Sequence, residues 1–312
     1  MIDLIIVSFN NLKLTSQAIE SALNNSEPPE KIIVVDNNSS DGTVPFLKQN
    51  FPGIHLITLQ ENTGYGKAVN IAFSHTASPY VLISNNDVIF PVKFFTQLRK
   101  LIEQLNGNFG VIGFQQIYPD KSYQNSYGKF HTLLSAIYDV IFISKIVTEI
   151  KKVNWRLGLS KLKEVDYVDG AVMCVSREAF QGVSGFDEDF FFYSEEVDLC
   201  KRLRNKGHRI YVDLRNFVIH YRGQGLNHRI GLTFNSIPMF VSSRALYCKK
   251  HLSVLEAKIY MFLESIYYKE LSFLWHIRSF LENKDYSEIV AIIKEISRQF
   301  HIQLKKFSTE RN

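Results

Sequence analysis

Apolar positions in the first ninety residues follow two alternating patterns. "LIIVSF", "KIIVVD" and "YVLISNND" are short apolar runs closed by polar residues, the pattern of strands buried on both faces, and "IHLITLQEN" is a further strand candidate. Between them, "NLKLTSQAIESALN" sets Leu14, Ala18, Ile19 and Ala22 at helical spacing, and "YGKAVNIAFSHT" reads as another helix. The alternation predicts an α/β fold with a parallel sheet covered on both faces, in which ligands bind beyond the carboxyl ends of the strands. Those ends are "SFNN", "DNNSSDG" and "NND", all rich in Asn and Asp.

The pattern is less regular from Pro91 to Tyr167, where "HTLLSAIYDVIFISKIVTEIKK" predicts one helix, apolar on one side and basic at its end. "DYVDGAVMCVS" predicts a strand, "YSEEVDLCKRLRNKG" a helix closed by Gly207, and "RIYVDLRNFVIHYRG" one or two strands. Beyond "GQGLNHRIG" the composition shifts to long helices, with no internal repeat and no low-complexity segment.

Composition narrows the class. A chain of 312 residues with 46% hydrophobic content can bury a sizeable core. Three cysteines are an odd count with no disulfide framework, and Cys174 and Cys200 lie in apolar surroundings, so a reducing, cytoplasmic setting is expected. The start at Met1 reads as a strand and not as a signal peptide. No apolar run approaches the ~20 residues that span a bilayer. The net charge of +5 sits mostly in the tail: from Arg244 onward there are 12 Lys and Arg against 8 Asp and Glu. "TGYGKA" lacks the third glycine of a dinucleotide fingerprint and does not follow the first strand, and "SFNNLKLTS" lacks the glycine-rich basic loop of a sugar-nucleotide pyrophosphorylase.

The densest candidate chemistry is "YSEEVDLCKRL", with three carboxylates in four positions. With Ser194 as N-cap and 100° per residue, Val197, Leu199, Cys200 and Leu203 cluster on one side, and Glu196 projects into that stripe. Glu195 lies at its flank, and Asp198 falls on the polar side, four residues before Arg202, where an ion pair is expected. Acids in a first turn complement the helix dipole. That explains Glu195 and Asp198 but not Glu196, since a carboxylate aimed at the core side must lie in a cleft or find a partner.

The stretch Val168–Gly207, together with "IIVSFNN", "VVDNNSSDGT", "ENTGYGKAVN" and "LISNND", resembles the inverting glycosyltransferases of family 2, in particular the bacterial rhamnosyltransferase-like branch. The resemblance covers residues 1–225 and implies a GT-A fold, a Rossmann-like, mostly parallel sheet with helices on both faces. It divides into a nucleotide-sugar-binding half, about 1–90, and an acceptor-binding half, about 91–225, with 226–312 as a helical extension. It implies transfer of a sugar from a nucleotide diphosphate to an acceptor hydroxyl with inversion, which needs a base for the proton and a cation for the departing diphosphate. Glu196 falls on the base position, where the family more often has Asp. The metal motif reads Asn85, Asn86, Asp87, with one acid retained, and His220 stands where the family often supplies a further ligand. Mg2+ or Mn2+ is the expected cofactor, because oxygen ligands dominate. For the donor the resemblance implies Ser8, Phe9, Asn10, Asp36, Asn38, Asn62, Gly64, Lys67, Asn70 and Asn86; the Arg that many members carry before the last Asn of this helix is Val69, leaving Lys67 as the cation for diphosphate. Asp169, Gly170 and Glu195 frame the acceptor.

The implied donor is dTDP-rhamnose, with a UDP-hexose as the alternative, and the implied acceptor is a glycan on a lipid diphosphate, in the synthesis of bacterial surface polysaccharides such as O-antigen. The retained single acid also keeps open a non-catalytic module that binds nucleotide-sugar or lipid. In the tail, Ile289, Ile293, Ile296, Phe300, Leu304 and Phe307 follow helical spacing, with Lys294, Arg298, Lys305 and Lys306 elsewhere around the axis. That pattern suits packing within the chain, a homodimer contact, or a peripheral membrane surface at the cytoplasmic face, the last being favoured. No nucleic-acid partner is expected.

Overall fold

The computed structural model describes residues 1–159, 161–222 and 232–309. The expected boundary at 225/226 lies outside the described residues. The chain begins β1 (Ile2–Ser8), α1 (Leu12–Leu23), β2 (Lys31–Asp36), α2 (Thr43–Asn50), β3 (His55–Thr58), α3 (Tyr65–Phe73) and β4 (Tyr80–Asn85). It continues through β5 (Val88–Ile89), α4 (Phe94–Gln104), β6 (Val111–Ile117), β7 (Tyr123–Gln124), β8 (Tyr127–Gly128), α5 (Leu133–Val140) and α6 (Ile143–Arg156). Then follow β9 (Leu162–Glu164), β10 (Tyr167–Val168), β11 (Val172–Ser176), α7 (Arg177–Gly182), α8 (Glu195–Asn205) and β12 (Ile210–His220). The last elements are α9 (Ile237–His251), α10 (Val254–Glu282) and α11 (Ser287–Thr309).

Two compact units share these elements. One holds Met1–Lys129, Asn154–Phe191 and Glu195–Tyr221; the other holds Phe130–Val153, Phe192–Ser194 and Arg222–Asn312.

In the first unit the order β3-β2-β1-β4-β11-β6-β12-β5 runs across the central sheet. The expected alternation of strand and helix accounts for its parallel part, β3 to β4, where Ser8 is level with Asp36 and Val7 with Asn85. The first three polar strand ends therefore share one edge, because parallel strands present all their carboxyl ends on the same side. Antiparallel ladders enter with β11, which lies between β4 and β6. β12 is a single strand with a register shift between Asp213 and Phe217, and it returns parallel to β6 so that His220 ends beside the turn after β4. Beneath the sheet, Phe90, Phe94, Phe95 and Phe114 form a ring-packed layer with the side chains of β1, β2 and β4. All three cysteines are free and buried, as the apolar surroundings of Cys174 and Cys200 predict.

The second unit is helical. The single helix expected over residues 131–152 is two, because Phe142, at φ 59°, takes the left-handed conformation that ends α5 and redirects the chain. α10 opens on a capping box between Ser253 and Glu256 and closes at Asn283, again left-handed. α11 buries Ile289, Ile293, Ile296 and Phe300, with Phe300 stacked on Tyr268 of α10 at 5.6 Å. Four of the six apolar stripe residues of the tail are thus covered within their own unit, while Leu304 and Phe307 are half-buried. Half-buried Arg244 donates to the buried Tyr260 Oη at 2.8 Å, and burial pushes the Glu264 carboxyl up to about 7. No helix among the described residues is long and apolar enough to cross a membrane.

Candidate active site

The carboxyl edge of the parallel strands, the turn after β4, the β10–β11 turn and the start of α8 supply the candidate residues, all from the first unit. At the turn after β4, Asp87 Oδ1 lies 3.3 Å from His220 Nε2. That oxygen is buried and makes no hydrogen bond among the described residues. The other ring nitrogen, Nδ1, faces Gln116 Oε1 at 2.8 Å and Gln124 Oε1 at 3.1 Å. Both amide orientations are fixed from behind. Gln116 Nε2 donates to Asp169 Oδ1 at 3.1 Å, and Gln124 Nε2 donates to the His220 carbonyl. Two acceptor oxygens at Nδ1 place the proton there and turn the Nε2 lone pair toward Asp87. A lone pair facing a carboxylate oxygen is repulsive until a proton or a cation lies between them.

This donor set, one carboxylate and one imidazole with its second nitrogen held, fits a divalent ion completed by other oxygens. No group of three or more His, Cys, Asp or Glu able to hold a metal exists among the described residues, so an ion here would need donor phosphates or Asn85 to complete its shell. Asn85 is half-buried, and its backbone N–H donates to the Ala171 carbonyl at 2.8 Å, which ties the turn to β11.

On α8 the three acids differ in a way the helical wheel misjudged. Asp198 is 1% exposed, not on a solvated face, and its ion pair with Arg202 at 2.7 Å is extended by Arg202 Nη1 donating to the carbonyls of Val183 and Gly185. Glu195 is the buried member of the leading pair, at 4% exposure, and Glu196 is half-buried. Burial, and then the charge of Glu196, hold the Glu195 carboxyl well above the usual carboxylate range. Ser194 precedes the helix at φ 66°, after Tyr193 at φ 71°, in place of the extended backbone expected of an N-cap. Gly170 packs under Glu196: a Cβ at this position would lie 3.3 Å from Glu196 Cβ. Asp169 Oδ1 also accepts from Ala171 N at 3.0 Å, which shapes the β10–β11 turn.

The expected donor residues divide by what they already hold. Asp36 accepts from Ser39 N with Oδ2, while its Oδ1 is buried without a hydrogen bond among the described residues. Asn10, left-handed at φ 47°, accepts from Ser40 N and ties the first strand end to the second; Phe9 and Asn38 are exposed beside them. Ser8 and Asn86 meet at one hydroxyl, Thr15 Oγ1, each at 2.9 Å, so both brace the strand ends. Asn62 Oδ1 accepts from Gly64 N, and Lys67 lies half-buried on the first turn of α3. Asn70 is committed elsewhere, gripping Phe186 through both N and O and reaching Glu188. Val69 is fully buried.

Several site residues escaped the sequence reading. Tyr65 is buried, donates to the Gly170 carbonyl at 3.0 Å, and has its phenol pKa raised by burial and then by Glu195, Glu196, Asp169 and Asp87 together. Asn37 holds Thr63 N, Asn62 and the Gly64 carbonyl. Gln116 carried one legible signal, since amides inside a wholly buried strand such as "VIGFQQI" need partners, whereas Gln124, on β7, carried none.

Comparison with known proteins agrees with this architecture. The family model described as glycosyl transferase family 2 matches residues 3–180. The N-acetylglucosaminyl-diphospho-decaprenol L-rhamnosyltransferase of Mycobacterium tuberculosis is 28% identical over 212 residues, 63% of this chain and 68% of that protein. Rhamnosyltransferase WbbL of Escherichia coli is 27% identical over 238 residues, 71% of this chain and 83% of that protein. Among solved structures, the mannosyltransferase PcManGT from Pyrobaculum calidifontis, in complex with GDP-Man and Mn2+, superposes with a TM-score of 0.59 at 13% identity, covering 100% of this chain and 88% of that one. S. aureus TarS 1–349 with UDP-GlcNAc gives 0.55 at 14% identity, covering 98% and 80%.

Proposed function

Because the chain belongs to glycosyl transferase family 2 and is a glycosyltransferase, we propose that it moves rhamnose from dTDP-rhamnose, with inversion, onto a hydroxyl of a lipid-diphosphate-linked glycan in surface polysaccharide synthesis. The observation that carries the reading is a continuous series of contacts from base to cation site. Glu196 rests on Gly170, the adjoining Asp169 binds Gln116, Gln116 holds His220, and His220 faces Asp87.

In this reading Glu196 accepts the proton of the acceptor hydroxyl as that oxygen bonds to the anomeric carbon. The bond from that carbon to the nucleoside diphosphate breaks on the opposite face, and its electron pair leaves with the diphosphate. One base and one displacement give inversion. Burial raises the Glu195 carboxyl and so disfavours its charged form, which leaves the less buried Glu196 as the member of the pair to act as base. Asp87 and His220 would hold Mg2+ or Mn2+, which supplies positive charge to the departing diphosphate. Lys67 would add charge to the same diphosphate from the start of α3, and Asp36 Oδ1, buried without a hydrogen bond among the described residues, would accept an N–H from the nucleobase. The decaprenol-diphosphate acceptor of the mycobacterial relative supports the lipid-linked acceptor, and the two relatives named as rhamnosyltransferases support the sugar.

The test is turnover of a panel of dTDP- and UDP-sugars by the wild type and by Glu196→Gln. The reading expects dTDP-rhamnose to be preferred and the variant to lose on the order of 10²–10⁴ in kcat. Near-normal kcat in a folded Glu196→Gln protein sinks the base assignment, and preference for a UDP-hexose sinks the donor.

A further inference from the structure

The first residue of α3, Tyr65, is tied to two segments that border Glu196. Its backbone N–H, one of the helix-start donors that find no partner inside their own helix, donates to the Phe191 carbonyl at 2.8 Å, on the chain that leads into α8. Its side chain reaches the other segment. Tyr65 Oη donates to the Gly170 carbonyl at 3.0 Å, and Gly170 is the floor on which Glu196 rests. The fit is close, since a Cβ at Gly170 would lie 3.3 Å from Glu196 Cβ and 3.6 Å from its Cγ.

The phenol ring is 6% exposed and meets Phe186 edge-on at 6.1 Å, contacts that a phenylalanine would make equally well. The hydroxyl adds nothing to that packing and costs free energy to bury, so what it contributes is the bond to Gly170. Burial, and then the charge of Glu195, raise the phenol pKa and keep the hydroxyl a donor. Next along the turn, Asp169 is held by Gln116 and by Ala171 N, so Tyr65 secures the stretch of the β10–β11 turn that touches Glu196. We propose that Tyr65 is a positioning residue for the transfer reaction: through the Gly170 carbonyl it sets where the Glu196 carboxylate stands against the acceptor hydroxyl. The inference rests on Glu196 being the base. A misplacement of about 1 Å can cost a hundredfold in rate, so a loosened floor should be felt in kcat. Donor binding should be spared, because the donor contacts assigned to Asn62 and Lys67 do not involve the phenol hydroxyl.

The experiment is a double-mutant cycle of Tyr65→Phe and Glu196→Gln, read as kcat and donor KM with the donor that the panel above selects, and as a melting curve for every variant. Tyr65→Phe is expected to melt cooperatively, to lose roughly tenfold or more in kcat and to keep donor KM within about twofold. In the Glu196→Gln background it should cost nothing further, because its effect runs through that carboxylate. Gly170→Ala, at a position whose backbone is not left-handed, should show the same split between kcat and KM, since its Cβ crowds Glu196 from the same floor. Wild-type kcat in folded Tyr65→Phe beside a nearly inactive Glu196→Gln leaves the base in place and overturns the role of Tyr65 alone. Equal losses from Tyr65→Phe in both backgrounds, or wild-type kcat in Gly170→Ala, also overturn it, and a Tyr65→Phe chain without a cooperative transition overturns it in favour of a role in folding. Near-normal kcat in Glu196→Gln by itself is the separate failure of the base assignment, and the proposal falls with it.

Discussion

His220 presents Nε2 to Asp87 Oδ1 at 3.3 Å while Gln116 holds its Nδ1 at 2.8 Å. The ring cannot turn away without abandoning Gln116, which is itself anchored on Asp169. Partners behind a ligating His commonly govern metal affinity by about 10- to 100-fold. Gln116→Leu should therefore weaken nucleotide-dependent Mn2+ binding by roughly tenfold or more, with Asp87→Asn and His220→Ala at least as damaging. Electron paramagnetic resonance of free and bound Mn2+ in the presence of nucleoside diphosphate measures this without turnover. Unchanged binding in a folded His220→Ala protein removes His220 from the cation site.

Glu195 and Glu196 should respond oppositely to the same substitution. Since burial favours the neutral form of Glu195, Gln reproduces that form in shape and charge, and Glu195→Gln should retain kcat within about fivefold. Glu196→Gln removes the proposed base. Parallel kcat measurements decide it, and an equal loss in both variants would mean that the pair shares its proton during turnover.

Arg202 closes a buried ion pair with Asp198 and also satisfies two carbonyls of the 183–185 loop. Arg202→Ala removes the guanidinium that pairs with the buried Asp198, and breaking a buried ion pair typically costs about 3–5 kcal/mol. Urea denaturation should show a loss near the low end of that range, because the Arg202 side chain keeps 23% exposure. Restoring neutrality with Asp198→Asn in the Arg202→Ala background should recover part of it.

Glu264 gives the helical unit a pH dependence of defined sign. Its folded pKa of about 7 lies above the unfolded 4.5, raised by burial and by Asp139 against the pull of Arg244. The folded state therefore binds the proton more tightly, and stability falls as pH rises from about 4.5 to 7. A shift of this size corresponds to about 3 kcal/mol at full effect. Melting curves from pH 4.5 to 8 should decline less steeply for Glu264→Gln than for the wild type; parallel curves would show that Glu264 is ionised throughout.

Periodicity carried the parallel half of the sheet, because buried parallel strands read as continuous apolar runs and their polar ends mark the ligand edge. It also placed the Asp198–Arg202 pair, which depends only on helical spacing. It failed where tertiary contacts decide. Burial of Glu195 comes from what packs around α8, not from its own wheel. The joint at Phe142 is a single left-handed residue inside an apolar run that otherwise reads as one helix. Motif resemblance supplied Asp87 and His220, but the amides that orient His220 come from β6 and β7, more than ninety residues earlier, and no local pattern links them.

Gly64 sits at φ 82°, and a Cβ there would come within 2.4 Å of the Phe191 carbonyl, the acceptor for Tyr65 N. Phe191 leads, four residues on, into Glu195. Attempts to retune sugar preference by varying the 62–67 turn are therefore constrained from the start. Under the donor contacts proposed above, libraries that fix Gly64 and diversify Lys67 would act on the donor alone, whereas any side chain at 64 displaces the segment that delivers the carboxylates, so altered selectivity and lost turnover would arrive together.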